Sequence, residues 1–210
     1  MSKLFRMDSP LMRFLTKIAD LMVLNILFCV TSIPLITIGA SWTALYSVTL
    51  KMVRDEEDSV SRSYFRSFRQ NFRQATLLWL GVLVVLALLV LDIRVLNGMA
   101  EGTAPGLLRV GVEILALLGI MVLQYLFPSL ARFEASLADT LKNACMMALA
   151  HLPKTALMTA AAVGAVWITL INNTTIAVGL MVWPLIGFSL MAFGNSGILR
   201  KIFDNYVPKA

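Results

Sequence analysis

The chain is predicted to be an all-α, polytopic transmembrane helical bundle with about six spans and two cytoplasmic amphipathic helical segments. Three observations predict it. Of 210 residues, 59% are hydrophobic and 14% charged, with a mean hydropathy of +0.80, whereas soluble domains carry about 45–50% apolar and about 25% charged residues. The apolar residues are gathered into runs that approach the roughly 20 residues a bilayer crossing needs. Finally, 16 of the 18 lysines and arginines fall on one side of the membrane once six spans are drawn. At that length per crossing, residues 1–210 form a single integral membrane domain with no separate soluble unit.

The expected spans cover about 13–33, 36–53, 75–96, 107–130, 155–171 and 176–199. Leu21 to Val53 is too long for one helix and is interrupted at Ser32-Ile33-Pro34 and at Gly39. Proline removes a backbone donor and disfavours helix in the residue before it, so this stretch reads as two antiparallel spans with a tight turn. The polar segment 54–74 follows, opening on the acidic run Asp55-Glu56-Glu57-Asp58. Span three ends at Asp92, Arg94 and Asn97-Gly98, and a short loop to Gly106 leads into span four. A second polar segment, 131–154, precedes spans five and six, which flank the turn Asn172-Asn173-Thr174; a short polar tail closes the chain.

Charge then orients the bundle. Lys3, Arg6, Arg13 and Lys17 precede span one; Lys51, Arg54, Arg62, Arg66, Arg69 and Arg73 lie between two and three. Arg132, Lys142 and Lys154 lie between four and five, and Arg200, Lys201 and Lys209 follow six. Only Arg94 and Arg109 are left for the other side, so the positive-inside rule places both termini in the cytoplasm. The basic N-terminus followed by an apolar run, with Ala40-Ser41 behind it, has the order of a secretory signal. Cleavage there would strand Trp42 to Val53 as an apolar stub, so the segment is read as retained.

Two segments are candidates for function. In the first, Phe65, Phe68 and Phe72 recur at three- and four-residue spacing beside Arg62, Arg66, Arg69 and Arg73. On a helix that is an aromatic stripe against a cationic one, suited to anionic lipid headgroups or to a docking partner. The acidic run before it favours the positive end of that helix. In the second, Phe133, Leu137, Leu141, Ala144, Ala148 and Leu152 share one helical face. This segment resembles the coupling loop of ATP-binding-cassette importer permeases, in which a Glu-Ala-Ala start is followed by Asp-Gly and then a Leu-Pro pair. Here Asp139 stands five residues after Glu134, and Pro153 of Leu152-Pro153 nineteen after it. Thr140 occupies the glycine position.

Other chemistry is thin. The formal charge of +6 comes from cations flanking apolar runs, which points to lipid bilayer and anionic lipids and away from nucleic acid. Cys29 and Cys145 sit in different environments, so no disulfide is expected. The single histidine, His151, has no neighbouring nucleophile, carboxylate pair or metal-ligand spacing. No enzyme activity, metal or cofactor is expected. Asp92, Arg94, Arg109 and Glu113 read as interfacial anchors. Asn25, Thr31, Ser32, Gln124, Thr159 and Ser189 read as groups that hydrogen-bond between helices. Gly179, Gly187, Gly194 and Gly197 read as packing positions in span six, with Pro184 as a bend.

Taken in order, several pieces resemble the YesL-like family of small bacterial membrane proteins. They are Pro34 to Gly39 with Ala44-Leu45, and Tyr64-Phe65 with Phe68 and Asn71 to Ala75. Tyr125 to Pro128 with Arg132-Phe133, and Leu141 to Ala144 leading to His151 through Lys154, complete the set. The resemblance implies a multi-pass protein of the bacterial plasma membrane with no assigned reaction, associated with carbohydrate utilisation and sugar importers. The expected function is therefore a non-enzymatic accessory or scaffold linked to carbohydrate uptake or utilisation, with sugar-importer subunits as partners. The alternative is a permease-like component of an ATP-driven sugar importer, coupling through 131–154.

Overall fold

The computed structural model describes residues 10–56, 59–99 and 102–206. Lys3, Arg6 and Lys209, and Glu57 and Asp58 of the acidic run, lie outside them. The described chain is helical: α1 (Pro10–Thr31), a 3-10 turn (Leu35–Thr37), α2 (Ile38–Met52), α3 (Val60–Gly98), α4 (Thr103–Arg132), α5 (Leu137–Ala150), α6 (Leu152–Leu170) and α7 (Asn173–Val182). A π turn (Trp183–Gly187) then joins α7 to α8 (Phe188–Phe203) without a break.

Among the described residues, five helices are long and apolar enough to cross a membrane: α1, α3, α4, α6 and the continuous run Asn173–Phe203. They are compatible with a multi-pass membrane protein. The expected second span, 36–53, differs: it folds as the 3-10 turn followed by a helix of 15 residues, short of a crossing. That helix is nevertheless the centre of the bundle, with Ala40, Ala44, Leu45, Tyr46, Val48, Leu50 and Met52 all buried. Gly39 makes the centre possible. A Cβ there would meet the Ala75 carbonyl oxygen at 2.5 Å and Trp79 Cβ at 2.6 Å, so α2 touches α3 backbone to backbone.

The expected boundary at residue 75 is also absent. α3 runs 39 residues from Val60 to Gly98, uniting the cationic segment with the apolar one. The change at Ala75 is one of polarity, and no proline interrupts the backbone across it. Pro128, by contrast, lies inside α4 near its end, and Pro153 sits in the first turn of α6, where its missing N–H costs nothing.

Core packing is concentrated at one end. Leu21, Leu24 and Phe28 of α1, Tyr64 of α3, Tyr125 to Phe127 of α4, and Leu199, Ile202 and Phe203 of α8 enclose α2. The same end carries the ion pairs Lys17–Asp55 (2.6 Å), Arg54–Asp204 and Arg200–Asp204 (3.8 Å), and Arg200 Nη1 donates to the Val53 carbonyl at 2.9 Å. Together they clasp α1, the turn after α2 and the end of α8. Away from this basic end, α3 and α4 continue as a pair whose apolar side chains, such as Val84, Leu88, Leu107 and Leu115, are exposed. In a lipid solvent that exposure is the expected state of a spanning helix.

Candidate functional site

The exposed face of α3 at the basic end follows directly from helical periodicity. Val60, Ser63, Tyr64, Ser67 and Ala75 are buried, which turns Arg62, Phe65, Arg66, Arg69, Phe72 and Arg73 outward. Phe65 is 46% and Phe72 39% exposed. Phe68 departs from the expected stripe: it is half-buried, leaning on the core between Tyr64 (6.3 Å, stacked) and Phe72 (5.5 Å). Four guanidinium groups and two phenyl rings therefore share a single face instead of two adjacent ones. None of the three ion pairs among the described residues involves those arginines.

Tyr64 is the residue of this segment that helical spacing alone did not single out. It is fully buried, and its hydroxyl lies 2.6 Å from Thr31 Oγ1, which also accepts from Ser41 Oγ at 2.9 Å. This three-hydroxyl knot ties α3 to the α1–α2 hairpin. A tyrosine beside three phenylalanines was the available signal, because a buried phenol needs a partner where a phenyl ring does not.

The second segment folds as the linker 133–136 and α5. Ser136 caps α5: its Oγ accepts from the Asp139 N–H at 3.2 Å and donates to the Asp139 carboxylate at 2.6 Å. Asp139 thus closes the first turn of the helix. Thr140, at the position where importer permeases carry glycine, is buried within that helix and donates to the Ser136 carbonyl at 2.8 Å. The expected apolar face also shifts. Thr140, Ala144, Met147 and Ala148 face the core, while Leu137, Leu141 and Leu152 are exposed. Thr140, Ala144 and Ala148 are small enough to let α5 approach its neighbours closely, and Met147 fills the space beside them. Glu134 and Pro153 are exposed as well.

The two segments meet. Gln74 Nε2 donates to the Ala135 carbonyl at 2.6 Å, and a cleft of about 680 Å³ opens between Gln70, Asn71 and Gln74 of α3 and the stretch from Leu130 to Ser136. Arg132 and Glu134 both line it, so the cleft carries one charge of each sign among polar amides.

Inside the bundle several of the expected polar groups pair between helices, whereas the Ser32 hydroxyl is buried without a partner. Gln124 Nε2 donates to Thr159 Oγ1 (2.6 Å), the Tyr125 hydroxyl meets Thr155 Oγ1 (2.9 Å), and Thr49 Oγ1 meets Ser196 Oγ (2.8 Å). Asn25 reaches the π turn and Ser189, and Asn195 Nδ2 donates to the Tyr46 hydroxyl at 3.3 Å. A cavity of about 330 Å³ lies between α2, α4, α6 and α8, lined by Trp42, Tyr46, Trp79, Gln124, Trp183 and Asn195 among others. Its wall holds no ionisable carboxylate, amine or imidazole.

Residues 21–93 match the family model described as "Protein of unknown function, DUF624". The chain is also 28% identical over 159 residues to "Uncharacterized protein YesL" of Bacillus subtilis (strain 168), covering 75% of this chain and 74% of that one. Both matches support a likeness to a YesL-like family. No solved structure gives a significant match. The segment matched by the family model contains α1 from Leu21 onward, all of α2, Gly39, Tyr64 and the whole arginine and phenylalanine face. The exposed face of α3 and the tip of the hairpin therefore lie in the part the family model matches.

Proposed function

We propose that this YesL-like chain is a non-enzymatic accessory or scaffold protein of the bacterial plasma membrane, linked to carbohydrate uptake or utilisation. Both termini lie in the cytoplasm, and the basic end is the working face. One observation carries this reading: the Gln74–Ala135 hydrogen bond joins the segment that bears Arg62, Arg66, Arg69 and Arg73 to the segment that bears Glu134. Aromatic rings next to guanidinium groups at a membrane boundary suit anionic lipid headgroups. The adjoining cleft, polar and bearing Glu134, suits a protein partner such as a sugar-importer subunit.

A second reading, a permease-like component of an ATP-driven sugar importer, is favoured by the exposure of Glu134 just before a short capped helix. The buried, helical Thr140 weighs against it, since that position is not a turn.

Photo-crosslinking in growing cells from positions 65 and 134 tests both. The accessory reading expects anionic phospholipid at 65 and an intact importer's membrane or substrate-binding subunit at 134. Capture of a nucleotide-binding subunit at 134, abolished by Asp139→Ala without loss of folded protein, would replace it with the permease reading. Capture of neither lipid at 65 nor importer subunit at 134 overturns both.

A further inference from the structure

We propose that α1 and α2 form a re-entrant hairpin whose tip, Ser32 to Ile36, ends inside the bilayer without reaching the opposite surface. The contacts of the tip region with α3 begin at Tyr64, whose hydroxyl meets Thr31 Oγ1 at 2.6 Å, and reach as far along α3 as Trp79. Trp79 Nε1 donates to the Leu35 carbonyl at 2.7 Å, and Gly39 packs against Ala75 and Trp79. From Trp79, α3 continues 13 residues to Asp92, its next ionisable group. At about 1.5 Å per residue that is roughly 20 Å along the helix, in a hydrocarbon core about 30 Å thick. The tip therefore stops well short of the level at which α3 regains charge.

The arms have matching lengths. α1 reaches 21 residues as a candidate span only by counting Arg13, Lys17 and Asp20. Its uncharged part, Leu21 to Thr31, is 11 residues, and α2 is uncharged for 13, from Ile38 to Leu50. Apolar helices of about 10–14 residues fit a core or re-entrant segment better than a crossing.

The turn is also built for hydrocarbon. Its outward side chains are apolar: Ile33 is 76% exposed, Leu35 72% and Ile36 55%. Its backbone, which would be costly to leave unpaired in lipid, is served from within the protein. Thr37 Oγ1 donates to the Thr31 and Pro34 carbonyls (2.6 and 2.7 Å), the Thr37 N–H to the Pro34 carbonyl (2.9 Å), and Trp79 covers Leu35. The α6–α7 turn is the contrast. Asn172 and Thr175 form a polar capping box there, and Asn172 and Asn173 are exposed, as a turn meeting water requires. The path then has four crossings, α3, α4, α6 and α7–α8, plus the hairpin. Because the hairpin enters and leaves on one side, the basic segments still share a side, which is why the charge count alone did not distinguish it from two crossings.

Single cysteines placed in a full-length chain carrying Cys29→Ala and Cys145→Ala test this. A charged, membrane-impermeant maleimide is applied to each face of the membrane in turn. Asn173→Cys should react from one face and Glu56→Cys from the other, while Ile33→Cys and Leu35→Cys should lose labelling from both and recover it in denaturant. A nitroxide at position 33 should be more accessible to oxygen than to a polar nickel relaxant, which separates lipid exposure from burial in protein. Labelling of Ile33→Cys from the face that labels Asn173→Cys would show a full crossing. Labelling from the Glu56→Cys face would place the hairpin outside the bilayer. Either result overturns the proposal.

Discussion

Asn25 on α1 holds three backbone groups of the last helical run at once. Its Nδ2 donates to the carbonyls of Trp183 (2.9 Å) and Pro184 (2.6 Å), and its Oδ1 accepts from the Ser189 N–H (2.9 Å). Pro184 contributes no N–H of its own, and the π turn around it shifts the hydrogen-bond register. A fully buried carboxamide on a neighbouring helix repairs both defects.

Asn25→Leu keeps the volume and removes all three bonds, leaving buried backbone groups unpaired at about 1–3 kcal/mol each. We expect unfolding in detergent to become easier by at least about 2 kcal/mol. Gln124→Leu supplies the contrast. Gln124 Oε1 is buried without a partner, and Thr159 still donates to the Thr155 carbonyl when Gln124 is gone. That variant should lie within about 1 kcal/mol of the parent. Denaturation of the two variants side by side checks the pair, and equal losses would refute the assignment.

Gly39→Ala should be among the most damaging small substitutions in the chain. Its Cβ would fall 2.5 Å from a backbone oxygen and 2.6 Å from the Trp79 Cβ, neither of which is the free end of a flexible side chain. Overpacking of this kind costs about 1–3 kcal/mol, here at the contact that seats α2 on α3. Gly81→Ala, on the same α3 and with nothing near its added methyl, should leave the melting temperature unchanged or raise it. Thermal melts of both variants in one detergent give the comparison.

These contacts show why some features were legible in the sequence and others were not. The apolar runs, the prolines and the Asn-Asn turn mark most helices, because helix ends depend on local chemistry. Asn25, Gln124, Thr159 and Ser189 were legible as groups that hydrogen-bond between helices, because a polar group in an apolar run has few other uses. The continuity of α3 was hidden, since a polarity change resembles a boundary while the backbone has no reason to stop. The brevity of α2 was hidden because its uncharged residues merge with those of α1 into one 30-residue stretch between Asp20 and Lys51. At the candidate site, the outward arginines followed from spacing. The inward Phe68 and the rotated face of α5 depend on which neighbours are close, and spacing does not carry that.

Asp55 offers a pH test with a defined sign. It is the one non-glycine residue of positive φ (56°) among the described residues, and it pairs with Lys17. The hydrogen bond and charge of Lys17 hold its carboxyl below the ordinary value of 3.8. A depressed carboxylate contributes stability above its unfolded value and loses it as pH falls through the folded one. Asp55→Asn tolerates the same backbone conformation and removes the charge. The melting-temperature gap between parent and Asp55→Asn should therefore be small and constant from pH 8 to 5, then close below about pH 3.8. A gap that narrows near pH 6 would assign it to another group.

The arginine face predicts a lipid preference that depends on salt. Arg66, Arg69 and Arg73 are exposed, and each basic residue near an anionic surface contributes about 1 kcal/mol. The triple Gln variant should lose its retention of phosphatidylglycerol over phosphatidylcholine, read by native mass spectrometry after extraction from mixed vesicles. For the parent, added salt should erode the same preference, because exposed charges are screened over about 10 Å at 0.1 M. Phe65→Ser with Phe72→Ser should weaken total lipid retention while leaving the salt dependence in place, since ring burial carries no charge. If the triple variant keeps the parent's phosphatidylglycerol preference at low salt, the arginines are solvated and the working face lies elsewhere on the basic end.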